Sequence, residues 1–542
     1  MKMSAPKAYV REATGFVREL GAIDSTIYAI AAMVGPTWIP VFATLWYTLP
    51  GVNIPFAFFI MGLLCVVHGF YYVLITTAMP RSGGGGYVAL SRIVSPALGI
   101  ASSMIFVLAN LVDLAFIANI SITIGVGSPL ATYGTLTNNA GLVAFGNALA
   151  AEGGKNMYGF IASLIFTIIV WGIVALGMAK VIKANRIAMV FATLGMVLIA
   201  AVLLSVSQAD FIRMFNDFAG PDTYSKVITA ANTAGWAVPA DFVGPTMVSL
   251  PMVYFAYIGY HYPTYLGGEL KRATNTMMIT VIGSILYTGF WFVFLAVLFQ
   301  NAIGLDFLTS MGYLYFTGNA AYPLSVPPWV NTFLIIMNNN LILNALIILS
   351  FLAFGYFLMM HFFMTSTRIM FAWSFDRAAP EKFAEINDRL HSPVFLTAVI
   401  LAIGIVLSIL YHFTGAFSLV NLAFFFVVAF LPEGLAGMLL PWKKKDLFEA
   451  SAPIVRKKFA GVPLISILGA YSVVLNLVLL VLCLVNPFVI GDINPFSGGG
   501  LFNWAAVIAM GLAGVVLLYA TRAYYKSKGI PVELIFKEIP PE

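Results

Sequence analysis

Charge is what this sequence has least of. Lys, Arg, Asp and Glu make up 9% of its 542 residues, where a soluble domain carries about 25%. That share is too small to clothe a water-facing surface, and an ordinary soluble globular protein is excluded. Cysteine is almost missing. Cys65 and Cys483 both lie inside apolar runs, which rules out a disulfide framework or a Cys-x-x-Cys metal site and leaves two small buried hydrophobes. No HExxH, P-loop or Ser/His/Asp pattern occurs, and Gly83–Gly86 lacks the following Gly-Lys-Ser/Thr, so neither an enzyme nor a resident cofactor is expected and the glycines read as a helix breaker. The first 22 residues hold charges on both sides of Val17 without a short apolar core and small-residue cleavage site. No removable leader is read there, and the first helix is expected to direct insertion.

Apolar length is what the chain has instead. Hydrophobic residues reach 61% and mean hydropathy is +0.95. Long apolar runs, rather than short alternating strands, set aside a β-barrel. A bilayer core of ~30 Å takes about 20 helical residues. Twelve segments meet that length: 23–50, 54–79, 94–127, 157–180, 185–208, 245–268, 274–300, 335–368, 393–413, 416–440, 462–487 and 501–525. The long loops 128–156, 209–244 and 300–334 then fall on one side. All but Lys155, Arg213 and Lys226 of the 28 lysines and arginines fall on the other. Positive residues stay cytoplasmic, so both termini are expected inside, in a multi-pass protein of the plasma membrane. The basic pI of about 9.0 follows from this bias and does not point to nucleic acid. Lys443–Lys445 reads as a stop and headgroup anchor.

Of the 22 acidic residues only Asp24, Asp113 and Glu433 lie in or beside spans. A carboxylate at bilayer depth normally faces a cavity or a partner. Asp24, followed by Ser25 and Thr26, also reads as a helix N-cap. Asp113 shares a helical face with Asn110 and serves either function or polar helix–helix contact. Glu433 follows Pro432 at a kinked point, with the same two readings open. His261 lies in a polar aromatic interruption, Tyr254 to Pro263, whereas His68 and His361 sit on apolar helices and read as satisfied core residues. Two spans are interrupted, the first at Gly35-Pro36-Thr37 and the sixth between Gly259 and Pro263. Proline removes an N–H and frees carbonyls, which in lipid must meet protein, water or solute. Matching breaks at the start of two five-helix halves point to an inverted repeat around a midplane site.

Four stretches carry a resemblance. Glu19 to Asp24 leads to Ala31-Ala32-Met33-Val34-Gly35. Pro80-Arg81-Ser82-Gly83-Gly84 to Tyr87 is followed by Ser95-Pro96-Ala97-Leu98-Gly99. Phe255-Ala256-Tyr257-Ile258-Gly259 comes third, and Arg368 to Ala372 with Asp376, Pro380 and Ser392-Pro393 fourth. In this order and topology the chain resembles the amino acid–polyamine–organocation (APC) transporter family over residues 12–440. The resemblance implies an all-α membrane protein of the LeuT-type fold: 12 transmembrane helices, a 5+5 inverted repeat with helices 1 and 6 broken, and two peripheral helices. It divides the chain into a cytoplasmic tail 1–22, a first five-helix repeat 23–208, an extracellular loop 209–244, a second repeat 245–440, a cytoplasmic loop 441–461, helices 11 and 12 at 462–525, and a cytoplasmic tail 526–542.

The activity implied is alternating-access transport of a small amino acid or amine, with proton or exchange coupling. Sodium coupling, a nucleobase or other organic-cation cargo, and a non-transporting sensor or channel are the alternatives. The binding residues implied are Ala32, Met33, Gly35, Pro36, Thr37, Asp113, Phe255, Tyr257, Ile258, Gly259, Tyr260, His261 and Phe362. Half-helix N–H groups at Gly35–Trp38 would hold a carboxylate, and carbonyls near Ala31–Met33 and Phe255–Ile258 an ammonium. Tyr257, Tyr260 and Phe362 would form aromatic walls. His261, Asp113 and Glu433 are the proton candidates, Thr365 and Ser366 the sodium hydroxyls. The family's Gly-x-Gly reads Gly35-Pro36-Thr37 here, its Gly-x-Glu reads Gly259-Tyr260-His261, and its Asn-Pro-x-Arg reads Glu269-Leu270-Lys271-Arg272. No lysine stands near Gly195 in the fifth span. The outer loops hold no cysteine, so no disulfide-linked partner subunit is expected; the partners are the solute and the bilayer.

Overall fold

A computed structural model describes residues 19–33, 35, 43–80, 83–150, 157–239, 241–271, 273–414, 420–485, 493–529 and 535–536. The first helix among the described residues is short, α1 (Ala22–Ala32). It is followed by α2 (Ile54–Ala78), whose first turn is capped by the Asn53 side chain accepting from Phe56 N at 3.1 Å. After α3 (Gly85–Ile93), α4 (Pro96–Ile122) runs through a π turn at Thr123–Gly127 into α5 (Ser128–Leu136). Then come α6 (Ala140–Ala150), α7 (Met157–Ala175), α8 (Met178–Ser205), α9 (Gln208–Ala219), α10 (Thr223–Thr233) and α11 (Val243–Val248).

The second interrupted region holds α12 (Leu250–Tyr257) and a 3-10 helix, Tyr262–Glu269. Beyond it lie α13 (Ala273–Ile303), α14 (Leu305–Phe316), α15 (Val330–Met337), α16 (Leu341–Phe375) and α17 (Val394–Phe413). The bundle ends with α18 (Leu422–Phe430), α19 (Glu433–Lys443), α20 (Lys445–Ala450), α21 (Leu464–Val485) and α22 (Gly498–Ser527). A two-residue β ribbon pairs Lys458–Phe459 with Val462–Pro463.

Among the described residues ten helices are long and apolar enough to cross a membrane. They occupy ten of the twelve expected segments. The other two, 23–50 and 245–268, are where α1 and α12 stop short. Large apolar side chains stay exposed along one stripe of each peripheral helix: Ile161, Ile165, Ile168 and Ile169 on α7, and Leu501, Ile508, Leu512 and Val516 on α22. Separations of three, four and seven run through each set and put it on one face, a surface suited to lipid. By contrast α16 is buried continuously from Ala353 to Ser374 and forms the centre of the bundle.

The sequence reading needs correction in the loops. The segments 128–156, 209–244 and 300–334 contain α5, α6, α9, α10, α14 and α15 rather than irregular chain. A capping box starts α9, Ser207 accepting from Asp210 N while Asp210 accepts from Ser207 N. Phe211, Phe215, Tyr224, Phe307 and Phe333 then pack as one aromatic cluster, Tyr224 stacked on Phe307 at 4.3 Å between centroids. That burial folds helices too short to have been read as spans. The expected 335–368 span is also displaced, since the chain leaves helical geometry at Asn338 and Asn340 and α16 then runs on to Phe375.

Candidate functional site

The two interruptions meet. At the end of α1 the chain turns extended at Met33 (φ −83°, ψ 154°). At the end of α12 Ile258 turns out of the helix, and Gly259 takes φ +121°, a region open mainly to glycine. A Cβ on Gly259 would overlap the carbonyl of Ala32. Glycine is therefore required twice over here, for its φ and for the close approach. Pro263 then opens the 3-10 turn, where its missing N–H costs nothing. The last carbonyls of α1 lack helical partners by construction, and they end against this second break.

Around the meeting point stand buried polar groups with little to bond. His261 is fully buried and neither ring nitrogen makes a hydrogen bond among the described residues. Its ring stacks on Tyr72 at 4.4 Å and meets Phe430 edge-on at 4.6 Å. Asp113 on α4 is 3% exposed, and its Oδ1 has no partner among those residues. One turn earlier Asn110 Oδ1 accepts from Tyr262 at 3.4 Å, while its Nδ2 is unused. On α16, His361 Nδ1 lies 2.7 Å from Phe357 O, and its ring lies 4.0 Å from that of Tyr28 on α1. Its Nε2 and the hydroxyl of Ser366 are unpartnered among the described residues. Burying polar groups without partners is costly, and a carboxylate most of all. Several such groups gathered around one pair of helix ends make this the candidate site.

Glu433, at the start of α19, stands apart from this cluster. Tyr72 donates to its Oε2 at 2.8 Å and Tyr265 to its Oε1 at 3.2 Å, while Tyr71 donates to its main-chain oxygen. A Cβ on Gly86 would overlap the Glu433 carboxyl, and one on Gly85 the Tyr265 ring. The glycine run thus breaks the helix and also clears room for this carboxyl. His68 ties the same region to α21, with Nδ1 2.7 Å from Tyr260 Oη and Nε2 2.7 Å from Ser472 Oγ.

One end of the bundle is tied by charge and backbone. Arg368 grips Glu269 with two bonds, Nε to Oε1 at 2.8 Å and Nη2 to Oε2 at 3.1 Å. Arg92 and Tyr87 both donate to Asp376. Leu20 forms a parallel bridge with Leu270, its N donating to Glu269 O at 3.0 Å and its O accepting from Lys271 N at 2.8 Å. Asp24 is not the N-cap of α1, a position held by Gly21; it lies in the first turn and takes two bonds from Arg186. The side chain is drawn outward by that guanidinium rather than back to its own backbone.

A family sequence model described as Amino acid permease matches residues 20–515. The chain belongs to the amino acid permease family. No curated protein matches it. A permease is a membrane transporter rather than an enzyme, and its class of cargo is amino acids or amines.

The residues expected to form the permease's site are only partly brought together. Ala32, Met33, Ile258, Gly259 and His261 border the meeting point. Gly35 backs onto α16, where a Cβ would overlap the Phe354 ring. Pro36 and Thr37 lie outside the described residues. Tyr257 turns away: its hydroxyl donates to Phe58 O at 2.9 Å, and a Cβ on Gly62 or Gly289 would come within 2.8 or 2.9 Å of it. Tyr260 points at His68, and half-buried Phe255 lies 6.0 Å from Phe426. Phe362 and Thr365 are buried on α16 near the middle of the bundle. Sequence reading passed over Tyr72, Tyr265 and Tyr28, and named Asn110 only as the neighbour of Asp113 on one helical face. The spacing of His68 and Tyr72, four residues apart on one helix, was the available signal.

Proposed function

We propose that this permease is a secondary active transporter that carries amino acids or related amines by alternating access. The observation that carries the reading is that Asp113 Oδ1 and both ring nitrogens of His261 lack partners among the described residues, near two helix ends that meet at Ala32 and Gly259. A substrate ammonium satisfies both the free carbonyls closing α1 and the Asp113 carboxylate. The N–H groups starting the second half-helix suit a substrate carboxylate. The supporting frame is a 12-helix bundle with α1 and α12 as halves of broken spans, helices 1–5 and 6–10 as inverted repeats over 23–208 and 245–440, and α21 and α22 peripheral. Both termini lie in the cytoplasm of a plasma-membrane protein, so the end tied by Arg368–Glu269 and Arg92–Asp376 faces inward. Closure of that end and its release constitute one half of the transport cycle.

Coupling to protons through His261, Asp113 or Glu433 fits the buried titratable groups. Sodium coupling has its own support, since the hydroxyls of Thr365 and Ser366 on α16 lack partners among the described residues and face the same region as the α1 carbonyls. Purified protein in liposomes decides between them. Uptake of amino acids driven by an inward proton gradient without sodium supports the first reading. Uptake that survives collapse of the proton gradient and vanishes without sodium supports the second. A thermal-shift screen of amino acids, polyamines and nucleobases identifies the cargo, because a ligand that binds only the folded state stabilises it. Stabilisation by nucleobases alone rules out the amine reading.

A further inference from the structure

A small cavity of about 20 Å³ opens beside Glu433, lined by Tyr71, Tyr72, Thr76, Gly86 and Thr264. It holds about one water and no organic solute, which needs an order of magnitude more space. Two observations say that it is built for an occupant. Thr264 lines it, is 4% exposed, and its hydroxyl has no partner among the described residues. The Glu433 carboxyl, 4% exposed as a residue, accepts one bond on each oxygen, and a carboxylate has about four acceptor positions.

The charges around it narrow what the occupant is. From α2 the carboxyl meets the hydroxyl of Tyr72, while that of Tyr71 donates to the Glu433 main-chain oxygen, and from the 3-10 helix it meets the hydroxyl of Tyr265. The first turn of α3 brings only glycine backbone, and α21, packed behind α19, brings Gly469 and Ser472. His68 and His261 stand one ring further out. No lysine or arginine pairs with Glu433 among the described residues: Arg92 is held by Asp376 and Arg368 by Glu269. A buried carboxyl without a counter-cation and with a water-sized opening takes a proton rather than a larger cation.

We propose that Glu433 is the proton-binding site of this permease, loaded by water through the Tyr71–Thr264 cavity from the cytoplasmic side. This rests on the proton-coupled reading above and names the group that carries the proton. Hydronium in the cavity transfers its proton to the carboxylate and leaves as water, so the site passes from one negative charge to none. The new O–H donates where the carboxylate accepted, and Tyr72 or Tyr265 must turn its hydroxyl to suit. Tyr265 belongs to the 3-10 helix and Tyr72 is stacked on His261, so the change is delivered directly to the broken helix.

Infrared difference spectroscopy on the full chain in lipid vesicles, without substrate, tests the site between about pH 8 and about pH 5, a range that takes in perturbed carboxyl groups. The expected result is a protonated-carboxyl C=O band in the unmodified protein that is lost in Glu433→Gln and kept in Asp113→Asn. A band that persists in Glu433→Gln, or no band in the unmodified protein, overturns the proposal. Should Glu433→Gln fail to fold, Tyr265→Phe retains the carboxyl and removes one hydrogen bond. The band then moves to higher frequency, and an unmoved band overturns the proposal equally. No transport is measured, so this result stands or falls separately from the carrier reading, which the liposome assay decides.

Discussion

Gly259 and Ala32 touch backbone to backbone, the α-carbon of the one set where any side chain would run into the carbonyl of the other. Gly259→Ala therefore meets a steric clash and a φ of +121° at once. It should lower stability by about 1–3 kcal/mol and abolish saturable counterflow. Thermal unfolding in detergent and liposome counterflow check the two effects. Gly172→Ala, on lipid-facing α7 with open space around it, should instead be neutral or stabilising by about 0.5–1 kcal/mol.

The glycines at the start of α3 make a second steric prediction. Gly86→Ala places a methyl on the Glu433 carboxyl and Gly85→Ala one on the Tyr265 ring. Both should fold less stably than Gly172→Ala and lose the carboxyl infrared band or shift it. A Gly86→Ala protein with an unchanged band means that the carboxyl does not sit where it is described.

Arg368 and Glu269 are both buried, and their side chains bond twice. Removing either partner leaves the other charge buried alone, at about 3–5 kcal/mol. The Arg368→Leu, Glu269→Leu double variant should cost much less than the two single changes added, and unfolding midpoints for the four proteins give the coupling. Arg186→Ala, whose partner bond to Asp24 lies at the surface with the guanidinium 62% exposed, should leave the midpoint unmoved.

Asp113 offers a test in which folding and binding part company. Its unpartnered oxygen makes the ligand-free protein less stable than it need be. Asp113→Asn should unfold at the same temperature or higher, yet lose most of the thermal shift given by an amine-bearing substrate. A retained shift means that Asp113 does not hold the ammonium.

The membrane character, ten long helices and the break after Tyr257 were legible in the sequence, because apolar length and Gly/Pro chemistry act within a few residues of themselves; of the first break, read at Gly35-Pro36-Thr37, the described residues hold Gly35 and the end of α1 at Ala32. The family was legible for a similar reason, in short runs such as Pro80 to Tyr87. Side-chain direction was not. Tyr257 and Tyr260 stand three apart at the end of a helix, yet one points to α2 backbone and the other to His68, since helical periodicity fails at Ile258. The helices within the outer loops were hidden as well: Phe211, Tyr224 and Phe307 find each other across nearly 100 residues, and a local pattern does not reveal contacts of that span. Glu433 was noticed for its charge, but its tyrosine cradle comes from two segments nearly 200 residues apart, both far from it in sequence.

The Leu20–Leu270 bridge has a consequence for evolution and engineering. Its two bonds join main chain to main chain, so no replacement of either side chain, proline at Leu20 aside, removes a donor or an acceptor from it. The leader into the first broken helix and the tail out of the second are thereby yoked with a strength that is nearly blind to mutation. What side-chain replacement can adjust at this end of the bundle is the neighbouring guanidinium–carboxylate clasp of Arg368 and Glu269. The chain keeps one fixed tie and one tunable clasp side by side.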